Sequence, residues 1–154
     1  ADEYYTSPVA YAASSTRMEP WEPNATALRD PAKLKWKRHV KAGTPLPTPW
    51  PKAEYEAASR AYQKKRAALR EANRPESEMS ALFREDLRFN EQLFSKSPNR
   101  NVVGAFEGAN YEAKGFYRSE MQCLMFDRSE RFCNACSDGV AEIIDLYSRP
   151  RAVK

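Results

Sequence analysis

Apolar positions recur every three or four residues in several stretches of the chain, and these predict its helices. Between 52 and 73, Tyr55, Ala58, Tyr62, Leu69 and Ala72 follow that spacing with no glycine or proline among them. Asn73-Arg74-Pro75 breaks the pattern, and it resumes from 76 to 95 through Met79, Leu82, Phe83, Leu87, Leu93 and Phe94. Two helices so joined predict an antiparallel αα-hairpin over 52–95. A third helix is predicted from Ser129 to Tyr147, where Phe132, Cys136, Val140, Ile143 and Tyr147 recur, before Pro150 stops it. Ala32–Lys41 reads as a short helix anchored by Leu34 and Val40 and ended by Gly43, and a helical turn is expected after Asn24. Pro45, Pro47, Pro49 and Pro51 then forbid helix and impose an extended spacer. The short apolar run Val102–Phe106 predicts a buried strand, followed by a glycine-punctuated, aromatic-rich loop. The fold class is therefore α+β, predominantly α.

Composition narrows the class. The chain has 154 residues, 42% hydrophobic and 30% charged, which suits one globular domain with a core of its own. No apolar run approaches the roughly 20 residues of a bilayer span, so no membrane span is expected. The 25 basic and 21 acidic residues give a formal charge of +4 and are interleaved, except in Lys33–Lys41. That run reads as a solvated basic face, and no nucleic-acid partner is assigned to it. His39, inside it, is expected to be exposed and without a role. The opening residues, ADEYYTSPVAY, have no basic and apolar leader pattern and no initiating Met, and they read as the continuation of something longer.

Candidate chemistry is concentrated in Val102–Ser137, which holds all three cysteines and three of the five glycines. One histidine rules out a two-histidine metal motif within this sequence. Cys123, Cys133 and Cys136 offer three thiolates, one short of the four ligands of a structural zinc site. A disulfide with one thiol left over is the simpler account, and a Cys-x-x-Cys redox pair at 133/136 is its rival.

Four blocks carry a resemblance. VGAFEGANYEAKGFYRSEMQCLMF followed by FCNAC, the opening ADEYY, and WEPNATALRDPAKLKWKRHVKAGTPLPTP stand in the order seen in the IgA-peptidase-like zinc metallopeptidases, a bacterial family of the zincin type. ADEYY resembles the continuation of that family's HEFGHSFxGLADEYY signature, so its HExxH helix would end just before Ala1. The resemblance implies that residues 1–154 are the C-terminal part of a catalytic domain following the HExxH helix. The helical hairpin at 52–95 would be an insertion, and 102–148 the Met-turn region and terminal helix.

The roles that follow are what this resemblance implies. The cofactor is Zn2+, with Asp2 as its third protein ligand and Glu3 as a neighbour holding a histidine. Met125 is the Met-turn residue under the metal. Tyr117 and Arg118 are candidate catalytic donors to an oxyanion, Tyr111 is a polar aromatic neighbour, and Glu107 is a supporting acceptor. Cys123 would pair with Cys136 or Cys133, clamping the turn to the terminal helix. The partners would be a protein or peptide substrate and the HExxH-bearing segment. The location would be extracellular, periplasmic or on the cell surface, as a disulfide also suggests. A module that keeps the fold and binds a protein partner without catalysis is the alternative.

Overall fold

The structure is a computed structural model that describes residues 18–127 and 129–148. Two long helices form where the periodicity is uninterrupted, α1 at Lys52–Glu71 and α2 at Glu76–Ser95. Asn73 ends α1 in the left-handed region (φ 46°). There Asn73 N–H donates to the Arg70 carbonyl and Arg74 N–H to the Leu69 carbonyl, so the last carbonyls of the helix are satisfied within the turn. The helices run antiparallel, since Tyr55 meets Phe94 near one end while Tyr62 meets Phe83 further along. Their outward faces are charged, with Lys65 and Glu85 joined across the pair at 2.9 Å.

The predicted strand at Val102–Phe106 lies instead at Phe106–Ala109 (β2), and the segment read as a loop is its partner, Glu112–Arg118 (β3). Asn110 and Tyr111 join them with φ of 51° and 62°, the two positive values that a tight two-residue hairpin turn requires. A register irregularity between Glu107 and Ala109 falls at Gly108, whose φ of 105° suits glycine. Ala25–Thr26 (β1) pairs antiparallel with the other edge of β3, giving the strand order β1-β3-β2. A strand therefore stands where a helical turn was expected after Asn24. The expected short helix at Ala32–Lys41 is two single 3-10 turns, Pro31–Lys33 and Lys37–His39, on either side of Trp36.

Trp36 explains that break. Its ring is buried, and its indole N–H donates to the Gly104 carbonyl at 2.6 Å, so the segment is shaped around one anchor. The core continues through Tyr55, Phe94, Phe106, Met121, Phe126 and the three cysteines. The hairpin base is part of this core, because Tyr55 and Phe94 stack at 5.8 Å and Tyr55 also meets Phe126 at 5.3 Å. The proline spacer is tied down by Thr48, which exchanges bonds with Ala105: Thr48 N–H to the Ala105 carbonyl (2.8 Å) and Ala105 N–H to Thr48 Oγ1 (2.9 Å).

Part of the basic run is engaged within the fold. Lys35 Nζ donates to the carbonyls of Pro20, Glu22 and Ala25. Arg38 and His39 both meet Asp138 of the last helix, at 2.5 and 2.6 Å, so His39 is half-buried and paired, contrary to expectation. These two groups, the imidazole first, hold the Asp138 carboxyl below the usual carboxylate range. Among the described residues no helix is long and apolar enough to cross a membrane.

Candidate functional site

The stretch after β3 folds back as a tight turn. Phe126 and Asp127 N–H both donate to the Cys123 carbonyl (2.8 and 2.9 Å), and Leu124 N–H donates to the Arg131 carbonyl at 2.7 Å. Met125 sits at the tip of this turn, partly exposed. The loop closed by Leu124 and Arg131 delivers the chain to α3, Asn134–Ser148, which starts later than the predicted Ser129. Cys133 immediately precedes this helix and Cys136 lies in its first turn.

Glu120 locks the helix start to the turn. Its Oε1 accepts from Asn134 N–H (2.6 Å) and Asn134 Nδ2 (2.8 Å), and its Oε2 accepts from Arg131 (3.3 Å). A carboxylate at a helix N-terminus is favoured both by the free N–H groups and by the helix dipole. Nothing local in the sequence marks Glu120 for this, since its partner is 14 residues away.

The three cysteines converge. All three are buried free thiols, and their sulfurs lie within 4.8 Å of one another. Cys123 and Cys136 are 3.6 Å apart, well beyond the roughly 2.0 Å of a disulfide. The expected Cys123–Cys136 bridge is therefore absent from the described structure. A third sulfur shares the site on equal terms, and pairing any two would leave the other buried beside them. Cys133 N–H donates to Cys123 Sγ at 3.2 Å. Hydrogen bonds from Cys123 and then Cys136 favour the Cys133 thiolate and lower its pKa; the contact with Cys133 raises that of Cys123, and contacts with Cys123 and then Cys133 raise that of Cys136.

Two depressions meet at Met125. One is a cleft of about 190 Å³ walled by Tyr111, Arg118, Glu120, Cys123, Cys133 and Met125. The other is an apolar groove of about 410 Å³ on the flank of α3, lined by Trp21, Pro23, Met125, Phe132, Val140 and Ile143. Gly139 forms part of its floor, because a Cβ there would stand 2.8 Å from Pro23 Cγ. Along α3, Val140, Ile143, Ile144, Leu146 and Tyr147 remain exposed.

The residues singled out from the sequence separate on this frame. Arg118 reaches the inner wall of the cleft, but its guanidinium is committed to structure. Nη1 donates to the carbonyls of Gly108 (2.6 Å) and Glu107 (3.2 Å), and Nη2 to that of Met121 (3.3 Å). It lies 3.5 Å from the Phe126 ring centroid and 4.3 Å from that of Trp50. These contacts brace the turn from within. Tyr117 is the next residue along β3, so its side chain leaves the opposite face of the sheet. The two do not face one cleft together. Glu107 is a structural acceptor, taking Gly115 N–H on Oε1 (3.1 Å) and Lys52 Nζ on Oε2 (2.5 Å). Asp2 and Glu3 lie outside the described residues.

Glu107 thereby ties the hairpin to the first turn of α1, and Lys52 also donates to the Ala113 carbonyl. Glu107→Gln keeps the Gly115 bond and removes the charge pair, with an expected loss of about 1 kcal/mol. Urea denaturation at low salt and at about 1 M salt checks this, with the difference shrinking as salt screens the pair.

The described site is a hairpin-and-helix unit with Met125 in a tight turn between two depressions, and the family match that follows makes it a metallopeptidase-related domain. The sequence profile of the family described as IgA Peptidase M64 matches residues 1–144, and the chain belongs to that family. No curated protein matches the chain. The family implies a metal ion. Among the described residues, the ligating side chains close enough to share one are Cys123, Cys133 and Cys136. They include no imidazole, and the chain's single histidine is held by Asp138. The described residues thus do not form the histidine-and-acid set of a catalytic zinc site.

Proposed function

We propose that this chain is part of a zinc-dependent endopeptidase, in which Asp2 supplies one ligand of the catalytic zinc and Met125 packs beneath the metal. Zinc held by such a ligand set would supply Lewis acidity and lower the pKa of a water molecule. The observation that carries the reading is the Met125 turn, held by the Cys123 carbonyl at the junction of cleft and groove, in a chain matched to the family over 1–144. A thioether is polarizable and adaptable enough to floor a ligand set without joining it. Glu120 and Arg118 hold the surrounding backbone, so their contribution is to fix the turn. The long helical hairpin is then a zincin-like domain's insertion, and a protein or peptide is the substrate.

The HExxH-bearing segment is the natural cover for the apolar flank of α3. Val140, Ile143 and Ile144 together leave a large apolar patch in water, and such patches mark contact surfaces. A location outside the cytoplasm belongs to the same proposal and rests on the family alone, since the three thiols are free.

The test uses full-length protein that includes the HExxH segment, with zinc content and peptide cleavage as readouts. Asp2→Asn is expected to lose the catalytic zinc and cleavage together, by roughly 100-fold or more in activity. Met125→Leu, nearly the same volume, is expected to retain zinc and to change activity less than about tenfold. Full zinc and cleavage in Asp2→Asn would remove it from the ligand set. A full-length protein that binds no zinc and cleaves nothing would favour the non-catalytic binding module.

A further inference from the structure

We propose that Cys123, Cys133 and Cys136 form a second metal site, a three-thiolate centre for a zinc-class ion, separate from the catalytic zinc. The three sulfurs are buried, free and within 4.8 Å of one another. Two thiolates at about 2.3 Å from a tetrahedral zinc stand about 3.8 Å apart, close to the 3.6 Å between Cys123 and Cys136. Three converging sulfurs are a number that a disulfide cannot use and a metal can.

The backbone is already arranged for ligation. Cys133 and Cys136 flank the start of α3, where the helix dipole favours negative sulfur. Cys133 N–H points at Cys123 Sγ (3.2 Å), a bond that strengthens when that sulfur is a thiolate. The loop between Cys123 and Cys133 is closed by the Leu124–Arg131 backbone bond and by Glu120 on Asn134 and Arg131. The three ligands are therefore held in place by contacts that do not involve the metal. Cys123 and Cys133 line the 190 Å³ cleft, which gives a fourth ligand, water or a small donor, a way in. All-sulfur protein ligation selects zinc and other soft-tolerant ions over magnesium or calcium. Bound metal would pin the Met125 turn to α3, the same clamp that a disulfide would have supplied.

The experiment takes the full-length protein, purified with zinc under reducing conditions, and measures metal by mass spectrometry. Roughly one zinc per chain is expected to survive Asp2→Asn and to be lost in Cys133→Ser, while the catalytic zinc follows the reverse pattern. Because Cys133→Ser can unfold the core, a second measurement uses the unmutated thiols. Cobalt exchanged into Asp2→Asn protein is expected to show an intense thiolate-to-cobalt charge-transfer band, and an organomercurial is expected to release the metal in step with the three thiols. The proposal is overturned if the cobalt protein lacks that band. It is equally overturned if, in protein purified without reductant and then denatured, peptide mapping finds two of Cys123, Cys133 and Cys136 joined as a disulfide. Neither result depends on cleavage, so failure here leaves the peptidase reading standing.

Discussion

Gly104→Ala is expected to destabilise the fold by roughly 2–4 kcal/mol, one of the two largest effects of any single change considered. A Cβ at this position would stand 2.1 Å from Thr48 Oγ1 and 2.9 Å from Thr48 Cβ. Thr48 cannot swing away cheaply. Its hydroxyl donates to the Pro45 carbonyl at 2.7 Å and accepts from Ala105 N–H at 2.9 Å, while its own N–H holds the Ala105 carbonyl. Gly104 is also fixed from its other sides, by its N–H on the Ser119 carbonyl (2.8 Å) and by the Trp36 indole on its carbonyl (2.6 Å). Relief of the clash must therefore break buried hydrogen bonds or shift the Trp36 anchor. Urea denaturation of the single variant, of Thr48→Ala and of the pair measures the coupling. The double variant is expected to recover part of the loss. A loss below about 0.5 kcal/mol in Gly104→Ala would mean that the spacer yields and that Thr48 is not a fixed point.

Arg118→Ala is expected to cost about 3–5 kcal/mol, chiefly because three carbonyls lose their donors in the interior. The cation also lies against two aromatic rings, Phe126 and Trp50, and stacking of this kind adds to the loss. Arg118→Lys keeps the charge, but a single ammonium cannot span carbonyls on Gly108, Glu107 and Met121, so a loss of about 2 kcal/mol is expected. This substitution separates structure from chemistry. If Arg118 stabilised an oxyanion, Arg118→Lys would lower kcat in the full-length enzyme while leaving the denaturation midpoint in place. The bonds predict the converse: a lowered midpoint, with kcat reduced only as far as the cleft loosens.

The helices were legible because their information is local. Periodic apolar residues, the absence of breakers and the Asn73-Arg74-Pro75 stop lie within a few residues of what they control, and α1 and α2 form within two residues of their predicted bounds. The β-hairpin was not legible for the same reason reversed. Its turn uses Asn110-Tyr111 in place of a glycine-bearing pair, and Gly108 interrupts the alternation that would have revealed β2. Its third strand, Ala25–Thr26, is two residues long and exists through pairing with Arg118 and Tyr117, more than 90 positions away in the chain.

The sequence by itself determined the two long helices, the concentration of cysteines and glycines around Met125, and the family. Each is written in short-range pattern or in ordered motifs that need no folding to be read. Only the tertiary structure decided what those residues do together. It turned Arg118 inward as a brace, because β3 presents successive side chains to opposite faces and the inner one met carbonyls and rings. It made His39 a partner of Asp138 across 99 residues. It also drew three cysteines into one buried cluster in place of a bridge and a spare, since the Cys123 turn and the start of α3 are held side by side by Glu120.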